Sequence, residues 1–508
     1  MTFDLSVPLQ LMQALTPDLA LMAGAMILML VAAWRQDSAE HQRFVGLASL
    51  GVIVATMVLV LWFASRNFSS GPGVIAVDGF RWASDLIFLT GAMATIALSI
   101  DYNAREGILA AESHVLVLFA TSGMMILASA RDLMIVFLGI EIMSIAVYVL
   151  AGLNRRSVRA AEAALKYFLL GAFSTGFLLY GIALVYGATG STSLPLIGYR
   201  IQEYVLFRQP MLLVGVGLLL VGFAFKVAVA PFHMWAPDVY EGAPTPITGY
   251  MAAAVKAAAF AGFLRVWIEA FSQLHASWIV PIWWMAATTM VFGNVVALSQ
   301  RDVKRMLAYS SIVHSGYLLV ALAAGTRLGS AAFLFYLFAY TLATFGAFAV
   351  VSALSLPGER NLAIADYEGL WNVRPGLAVA MAVYMLALLG FPVFGGVGFF
   401  AKWYLLQAAL SSPNHLVSLA VLLVLTSVVS AGYYLHVVRV MFMKERPERA
   451  VTPAPLGSYT RAVVAATVVL ILALGLMPGK LAQWTMQRPP TPAKALTAVK
   501  GQSASAVR

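Results

Sequence analysis

Residues 218–260, LLLVGFAFKVAVAPFHMWAPDVYEGAPTPITGYMAAAVKAAAF, decide the fold. Two apolar segments flank a short polar turn around Glu241. Lys226 lies fifteen residues before Glu241, and Lys256 lies fifteen residues after it. If the segments form antiparallel helices, a rise of about 1.5 Å per residue puts both ammonium groups on the order of 20 Å from the turn, well inside a membrane.

The composition agrees with a polytopic membrane protein. Of the 508 residues 61% are hydrophobic and 11% are charged, which is far from the composition of a soluble domain. Cysteine is absent, which excludes disulfides, thiolate metal sites and iron-sulfur ligation by this chain. The net charge of +10 is spread over loops and a basic tail, without the patch or fold that nucleic-acid binding requires, so no nucleic-acid partner is expected.

Apolar runs of about 18 to 25 residues predict an all-α fold with about fourteen transmembrane helices. The first run begins near Leu19 without a preceding basic residue, and we expect a retained helix here and no cleaved signal peptide. The sequence from about Gln483 onward predicts a loosely ordered tail. The predicted division of the chain has four parts: three N-terminal helices in 1–110, five-helix repeats in 111–272 and 273–445, and a final helix with the tail in 446–508.

The two five-helix repeats are expected to be inverted, each with one broken helix. Gly222 to Trp235, GFAFKVAVAPFHMW, matches Gly390 to Trp403, GFPVFGGVGFFAKW, at five positions with a displacement of 168 residues. Five spans separate the copies, and an odd number of spans inverts the second copy. Pro231 and His233 are predicted to break the first helix just past Lys226, which requires surrounding protein or a wet cavity to satisfy the freed backbone.

Four ionisable residues in apolar runs are the main candidates for chemistry: Glu141, Lys226, Lys256 and Lys402. Each charge at the centre of a membrane helix costs about 2.5 to 3.5 kcal/mol, so a set of this kind indicates function. The alternative is an ion pair between Glu141 and Lys226 that only fixes helix packing.

Three further residues are candidates for an auxiliary role: Lys166, His233 and His314. Lys166 lies in an apolar run but close enough to Arg159 to extend its ammonium group to the membrane surface. A lone histidine in a membrane helix can serve only to bond a neighbouring helix. The first three spans are expected to hold little ionisable chemistry, and Arg301 to Arg305 are expected to be a solvated helix start.

Lysine and arginine are more frequent in the loops after odd-numbered spans, for example in the segment from Arg155 to Arg159. The positive-inside rule therefore places those loops in the cytoplasm and both termini outside, in the periplasm of a Gram-negative cell.

Three long motifs resemble the antiporter-like subunits of bacterial NADH:quinone oxidoreductase, respiratory complex I, and specifically its subunit N. They are AGLNRRSVRAAEAALKYFLLGAFSTGFLLYGIALVYGATGS at 151–191, FKVAVAPFHMWAPDVYEGAPTP at 225–246 and MLAYSSIVHSGY at 306–317. The resemblance implies fourteen helices with two inverted repeats. It also implies a proton relay through Glu141, Lys226, Lys256 and Lys402, with Lys166, His233 and His314 in auxiliary positions.

The same resemblance implies that this chain holds no cofactor and that FMN, iron-sulfur clusters and quinone belong to partner subunits. The expected partners are two sister antiporter-like subunits, small membrane subunits, the lipid bilayer and, indirectly, the peripheral redox arm. We expect a bacterial inner-membrane subunit that moves protons from cytoplasm to periplasm, driven by quinone reduction elsewhere in the complex. The alternatives are a subunit of an Mrp-type cation/proton antiporter and a scaffold subunit that pumps nothing.

Overall fold

A computed structural model of the chain describes residues 11–34, 38–66, 73–393, 396–413, 416–448, 455–486 and 488. Within these residues twelve helices are long and apolar enough to cross a membrane. They are α1 (Thr16–Trp34), α2 (Ala39–Ser65), α3 (Gly79–Glu106), α4 (Glu112–Ser129), α5 (Leu133–Ala151), α6 (Val158–Thr189), α8 (Thr245–Glu269), α9 (Ser272–Leu298), α10 (Val303–Ala324), α11 (Arg327–Leu354), α13 (Val417–Met443) and α14 (Ser458–Leu476).

Two further spans are broken into segments. The first, α7, consists of Pro210–Lys226 and Trp235–Gly242. The second, α12, consists of Pro375–Leu389 and Gly396–Leu410. With these two, the predicted all-α fold of fourteen spans with two broken helices is confirmed. Short helices at Leu194–Glu203 and Pro478–Met486 lie outside the spans.

The break in α7 begins earlier than the sequence indicates. The first segment ends at Lys226, five residues before Pro231, because Ala228 takes a left-handed conformation with φ of 54° that cannot continue a right-handed helix. Proline therefore follows the break and does not start it. Polar side chains satisfy the freed backbone: Trp235 Nε1 donates to Phe225 O at 3.0 Å, and Ser315 Oγ donates to Val227 O at 2.7 Å.

The two halves share a hydrogen-bonded clamp. Asp132, the N-cap of α5, forms an antiparallel bridge with Ser193 after α6, and Asp302, the N-cap of α10, forms the same bridge with Ala363 after α11. The separations 132 to 302 and 193 to 363 are both 170 residues. Five spans, α5 to α9, lie between the clamps, so the clamps lie at opposite faces of the membrane.

The repeats are not equivalent at their lysines. Lys226 is the last residue before the break in α7, whereas Lys402 lies inside the segment that follows the break in α12. The alignment with a displacement of 168 residues correctly finds a break and a buried lysine in each half. It does not show that the two lysines lie on opposite sides of their breaks.

The centre of the bundle is α8, in which every residue from Thr245 to Glu269 is buried. Its first part includes one π-helical turn, Met251–Val255, and the α-helix resumes at Lys256. Helices α10 and α11 are almost as deeply buried, while in α1, α2, α6 and α14 no more than 33% of the apolar stretch is buried. Because α8 is buried along its whole length, the polar groups on it need partners on the helices packed around it.

The expectation of little ionisable chemistry in the first three spans is wrong. Asp18 on α1 and Arg81 on α3 form a buried ion pair, and Asp85 on α3 is also fully buried. The charges lie at the ends of apolar runs, where a sequence reading places them in loops. Of the predicted loose tail, residues 483–486 belong to the helix Pro478–Met486, and most of the rest lies outside the described residues.

Candidate functional site

Lys256 occupies the middle of the bundle. It is 2% exposed, and its ammonium group donates to Ser311 on α10, to the carbonyl at 2.8 Å and to Oγ. The hydroxyl of Tyr340 on α11 lies 2.9 Å from the same Oγ and 2.9 Å from Ala252 O. All partners of this buried cation are therefore neutral oxygens.

Lys226 has a similar environment in the first half. It is 6% exposed and donates to Ser144 Oγ at 2.8 Å and to the Tyr148 hydroxyl at 3.1 Å, both on α5. Ser144 and Tyr148 follow Glu141 by three and seven residues, so the three side chains share one face of α5. The lysine at the end of the broken segment is held by hydroxyl groups.

Glu141 does not form an ion pair with Lys226, which is the alternative interpretation of these two charges. Its Oε1 accepts a hydrogen bond from Thr175 on α6 at 2.9 Å, and no Lys226 contact occurs among the ion pairs of the described residues. Glu141 is half-buried, and Leu138 and Ile145, one turn away on either side, are 47% and 58% exposed. The carboxylate therefore lies at the outer edge of the face that it shares with Ser144, and Ser144 occupies the position next to the lysine.

His314 connects three helices in the second half. Its Nδ1 lies 2.5 Å from the Tyr336 hydroxyl on α11, and its Nε2 lies 3.0 Å from the Tyr434 hydroxyl on α13. Tyr434 also lies 2.5 Å from Ser310 Oγ. His314 is one turn of α10 away from Ser311, the partner of Lys256. The imidazole thus lies next to the Lys256 site in a row of hydroxyl groups.

Lys402 closes the row on the far side of His314. It is 7% exposed, donates to Leu389 O at 2.8 Å, and lies over the ring of Tyr317 at 4.8 Å. Leu389 is the last residue before the break in α12, so the lysine satisfies a carbonyl that the break frees. His314 and Lys402 both line a cavity of about 10 Å³, which has room for about one water molecule.

The structure does not join His233 and Lys166 to this row. The ring of His233 packs against Phe292 on α9 at 5.0 Å, and its buried Nδ1 has no hydrogen-bond partner in the described chain. Lys166 is 41% exposed and forms ion pairs with Glu162 at 2.7 Å and Asp238 at 3.0 Å. The expectation of apolar surroundings is wrong for Lys166, because its long side chain reaches a charged cavity of about 200 Å³.

The prediction that Arg301 to Arg305 form a solvated helix start is wrong for Lys304. This residue is 0% exposed and pairs with Glu359, a loop residue between α11 and α12. Glu359 also accepts hydrogen bonds from the Tyr102 hydroxyl at 2.6 Å and from Thr245 N at 2.7 Å. Burial opposes ionisation of Glu359, but the charge of Lys304 and these donors hold its pKa below the usual glutamate range.

Sequence reasoning missed the hydroxyl groups that contact the candidate ionisable residues or their direct partners: Ser144, Tyr148, Thr175, Ser311, Tyr336, Tyr340 and Tyr434. Serine, threonine and tyrosine are common in membrane helices. Of this set, only Ser144, Tyr148 and Ser311 could have been found from the sequence. Ser144 and Tyr148 lie at helical spacing from Glu141, and Ser311 lies at helical spacing from His314. Within the described residues, no group of three or more histidine, aspartate and glutamate side chains has a geometry that holds a metal ion.

The fold and the row of buried lysines define an antiporter-like, multi-pass membrane protein. Residues 130–430 match the family model described as "NADH:quinone oxidoreductase/Mrp antiporter, TM", so the chain belongs to this family. Its relatives include NADH-quinone oxidoreductase subunit N of Gemmatimonas aurantiaca, 50% identical over 482 residues, with 92% of this chain and 91% of the relative covered. The subunit N of Methylobacterium nodulans is 40% identical over 465 residues, with 92% and 94% covered.

Solved structures agree. A chain of respiratory complex I from Thermus thermophilus with bound aureothin is 38% identical, with a TM-score of 0.76 and coverage of 92% of this chain and 98% of that chain. A chain of the Mrp complex from Dietzia sp. has a TM-score of 0.82 at 20% identity, with 94% and 96% covered, which shows a common fold. The resemblance to subunit N of NADH:quinone oxidoreductase is thereby confirmed: this is an antiporter-like membrane subunit of the complex I type.

Proposed function

We propose that this subunit translocates protons through a relay in which Lys226 receives the proton, Lys256 holds it at the centre, and Lys402 releases it. The direction is from cytoplasm to periplasm. Glu141 controls the first step, and His314 carries the proton between the last two lysines. His233 and Lys166 act at the edges of the path, Lys166 in the open charged cavity.

The observation that carries the proposal is the environment of Lys256. Its ammonium group is buried and bonded only to Ser311 oxygens. A buried cation without a counter-charge is poorly solvated, and burial favours the neutral amine. Proton loss from Lys256 therefore requires less free energy than from an ion-paired lysine, which suits a relay.

Glu141 supplies the control. A carboxylate near Lys226 stabilises the charged lysine, and its withdrawal favours proton release. The geometry corresponds to the withdrawn arrangement, because Glu141 is bonded to Thr175 and Lys226 to Ser144. The outer position of Glu141 on α5 exposes it to a neighbouring subunit, whose charges can move the equilibrium between the two arrangements.

The second step runs along α10. Ser311 and His314 are one helical turn apart, and the Tyr340 hydroxyl bonds Ser311. The cavity of about 10 Å³ holds about one water molecule, which can connect His314 to Lys402. His314 has a hydrogen-bond partner at each ring nitrogen, so it can accept a proton at one nitrogen and release one from the other.

The driving energy comes from partner subunits. We infer that FMN, iron-sulfur clusters and quinone are bound there, and that the direct neighbours are two sister antiporter-like subunits and small membrane subunits in the bacterial inner membrane. Both termini face the periplasm. The four ranges 1–110, 111–272, 273–445 and 446–508 serve as the three N-terminal helices, the input repeat, the output repeat and the final helix.

A sodium/proton antiporter is the second candidate, supported by the common fold with the Mrp chain. Sodium requires a set of oxygen ligands, and cationic side chains repel it. Lys226, Lys256 and Lys402 at the centre of both halves favour protons as the transported ion.

The test is Lys256→Met in the assembled complex, with exposed Lys480→Met as the matched control. We expect Lys256→Met to assemble normally and to lower coupled NADH:quinone turnover and proton pumping to a small fraction of the control rate. Pumping at the control rate in the assembled Lys256→Met complex would refute the relay. A rate that depends on sodium would favour the antiporter.

A further inference from the structure

A second buried charge cluster lies outside the five-helix halves, where α1 meets α3. Asp18, Arg81 and Asp85 are each no more than 1% exposed. Arg81 Nη2 donates to Asp18, and its Nη1 donates to Ala76 O at 3.3 Å. Arg81 Nε lies 3.5 Å from Asp85 Oδ2 without hydrogen-bonding geometry. One guanidinium group thus lies between two carboxyl groups and is bonded to one of them.

The neighbouring charges are already paired with one another. Arg265 on α8 binds Asp78 at 2.8 and 3.0 Å and Glu269 at 2.7 Å. Glu269 also accepts from Arg131 Nε at 2.9 Å. These two arginines and two carboxylates balance, so they leave no cation for Asp85.

The other arginines near this end of α3 have different contacts. Arg66, after α2, is exposed and lies over the ring of Trp62 at 4.7 Å. Arg488 packs against Gly79, at the first turn of α3, and its guanidinium lies over the ring of Trp484 at 4.6 Å. Asp85 lies almost two turns further along α3. Arg81 is therefore the one cation of the described chain that stands next to both Asp18 and Asp85.

Asp85 has no hydrogen-bond donor on either carboxyl oxygen among the described residues. An ionised carboxylate with this burial and no donor costs far more free energy than the neutral acid. Two carboxyl groups that share one cation favour a state in which one of them is protonated.

We propose that Asp85 binds a proton, and that Asp18 and Asp85 compete for Arg81, so that the proton resides on the carboxyl group that Arg81 does not bond. When the proton moves to Asp18, Arg81 turns its hydrogen bond to Asp85. The ligand of this site is one exchangeable proton, and the cluster as a whole keeps one positive and one negative charge.

The site lies close to the depth of Lys256. Helices α3 and α8 pack in opposite directions, with Asp78 bonded to Arg265 and Gly91 in contact with Ala254. Asp85 is six residues from Gly91, and Lys256 is two residues from Ala254. At about 1.5 Å per residue, Asp85 lies on the order of 6 Å from the level of Lys256, toward the Arg265 end.

The experiment is infrared difference spectroscopy of the purified complex, wild type minus Asp85→Asn, in the carbonyl region of protonated carboxylic acids. We expect the loss of one such band per complex, with a shift of that band in D₂O. The matched control is Asp101→Asn on the same helix, whose carboxylate accepts two hydrogen bonds from Thr460 and should contribute no such band.

Asp18→Asn tests the competition. With Asp18 neutral, Asp85 is the one carboxylate left beside Arg81 among the described residues, so the Asp85 band should disappear although Asp85 is present. A spectrum without the band in wild type, or a band that survives Asp18→Asn, would overturn the proposal. Failure of Asp85→Asn to assemble would also contradict it, because the amide has the size and charge of the neutral acid. The band does not depend on transport, so normal pumping by Lys256→Met would reject the relay and leave this site unaffected.

Discussion

Replacement of either member of the buried Lys304–Glu359 ion pair should destabilise the protein, and the loss of stability should differ between the two members. This pair joins the start of α10 to the loop between α11 and α12, and through Thr245 it also fixes the start of α8. We compare Lys304→Met, Glu359→Gln and the double variant. Removal of one member of a buried ion pair costs about 3–5 kcal/mol, because the other charge is left buried without a partner.

The structure decides which single variant is worse. In Glu359→Gln the ammonium group of Lys304, which is 0% exposed, loses its counter-charge and retains only neutral acceptors, among them Ala243 O at 2.5 Å. In Lys304→Met the Glu359 carboxylate retains Tyr102 and two donors of Thr245, at 2.6 to 2.8 Å. We therefore expect a loss of stability of about 5 kcal/mol for Glu359→Gln and about 3 kcal/mol for Lys304→Met. The double variant should lose less stability than the sum of these two values.

The assay is denaturation of the purified complex in detergent, with the loss of this subunit as the signal. A double variant whose cost equals the sum of the single costs, or a larger cost for Lys304→Met, would refute the reasoning. The pKa of Glu359 is lower in the folded protein than its usual 4.5. Its contribution to stability is therefore complete above pH 4.5 and is lost as the pH falls through the folded-state pKa. The difference between wild type and Glu359→Gln should narrow in that acidic range.

Two glycine substitutions test the site without a change of charge. A Cβ at Gly171 on α6 would lie 2.1 Å from the Tyr148 hydroxyl that binds the lysine of the first half, so Gly171→Ala should slow proton pumping in an assembled complex. Gly176→Ala on the same helix, where nothing lies within 4 Å, should pump normally. A Cβ at Gly398 would lie 1.8 Å from a backbone carbonyl across the break in α12, so Gly398→Ala should abolish assembly, measured as subunit content of the membrane. Gly376→Ala, in open space, should assemble, and equal yields of the two would contradict the packing at the break.

The buried lysines could be predicted from sequence because they are rare in apolar runs. A charge such as Lys256, flanked by apolar residues from Met251 to Leu264, has only one physical setting, the interior of a membrane bundle. The two helix breaks and the inverted repeat followed from local composition and an odd number of spans. These properties depend on residues close together in the chain.

The partners of those lysines could not be predicted, because they come from distant helices. Ser311 bonds Lys256 across 55 positions, and Arg81 bonds Asp18 across 63. A charge at a helix start has the same sequence pattern whether it is solvated, like exposed Arg301, or buried, like Lys304. Whether the charge is buried depends on which loop covers the helix start. At Lys304 it is the loop that carries Glu359.

The two clamps at Asp132 and Asp302 have a consequence for the membrane voltage. Because the halves are inverted, equal displacements of charge toward each clamp cross the electric field in opposite directions. A full crossing is worth about 2.3 kcal/mol per elementary charge per 100 mV. The electrical free energies of equal charge movements in the two halves therefore cancel. The membrane voltage acts only on the difference between the two charge movements.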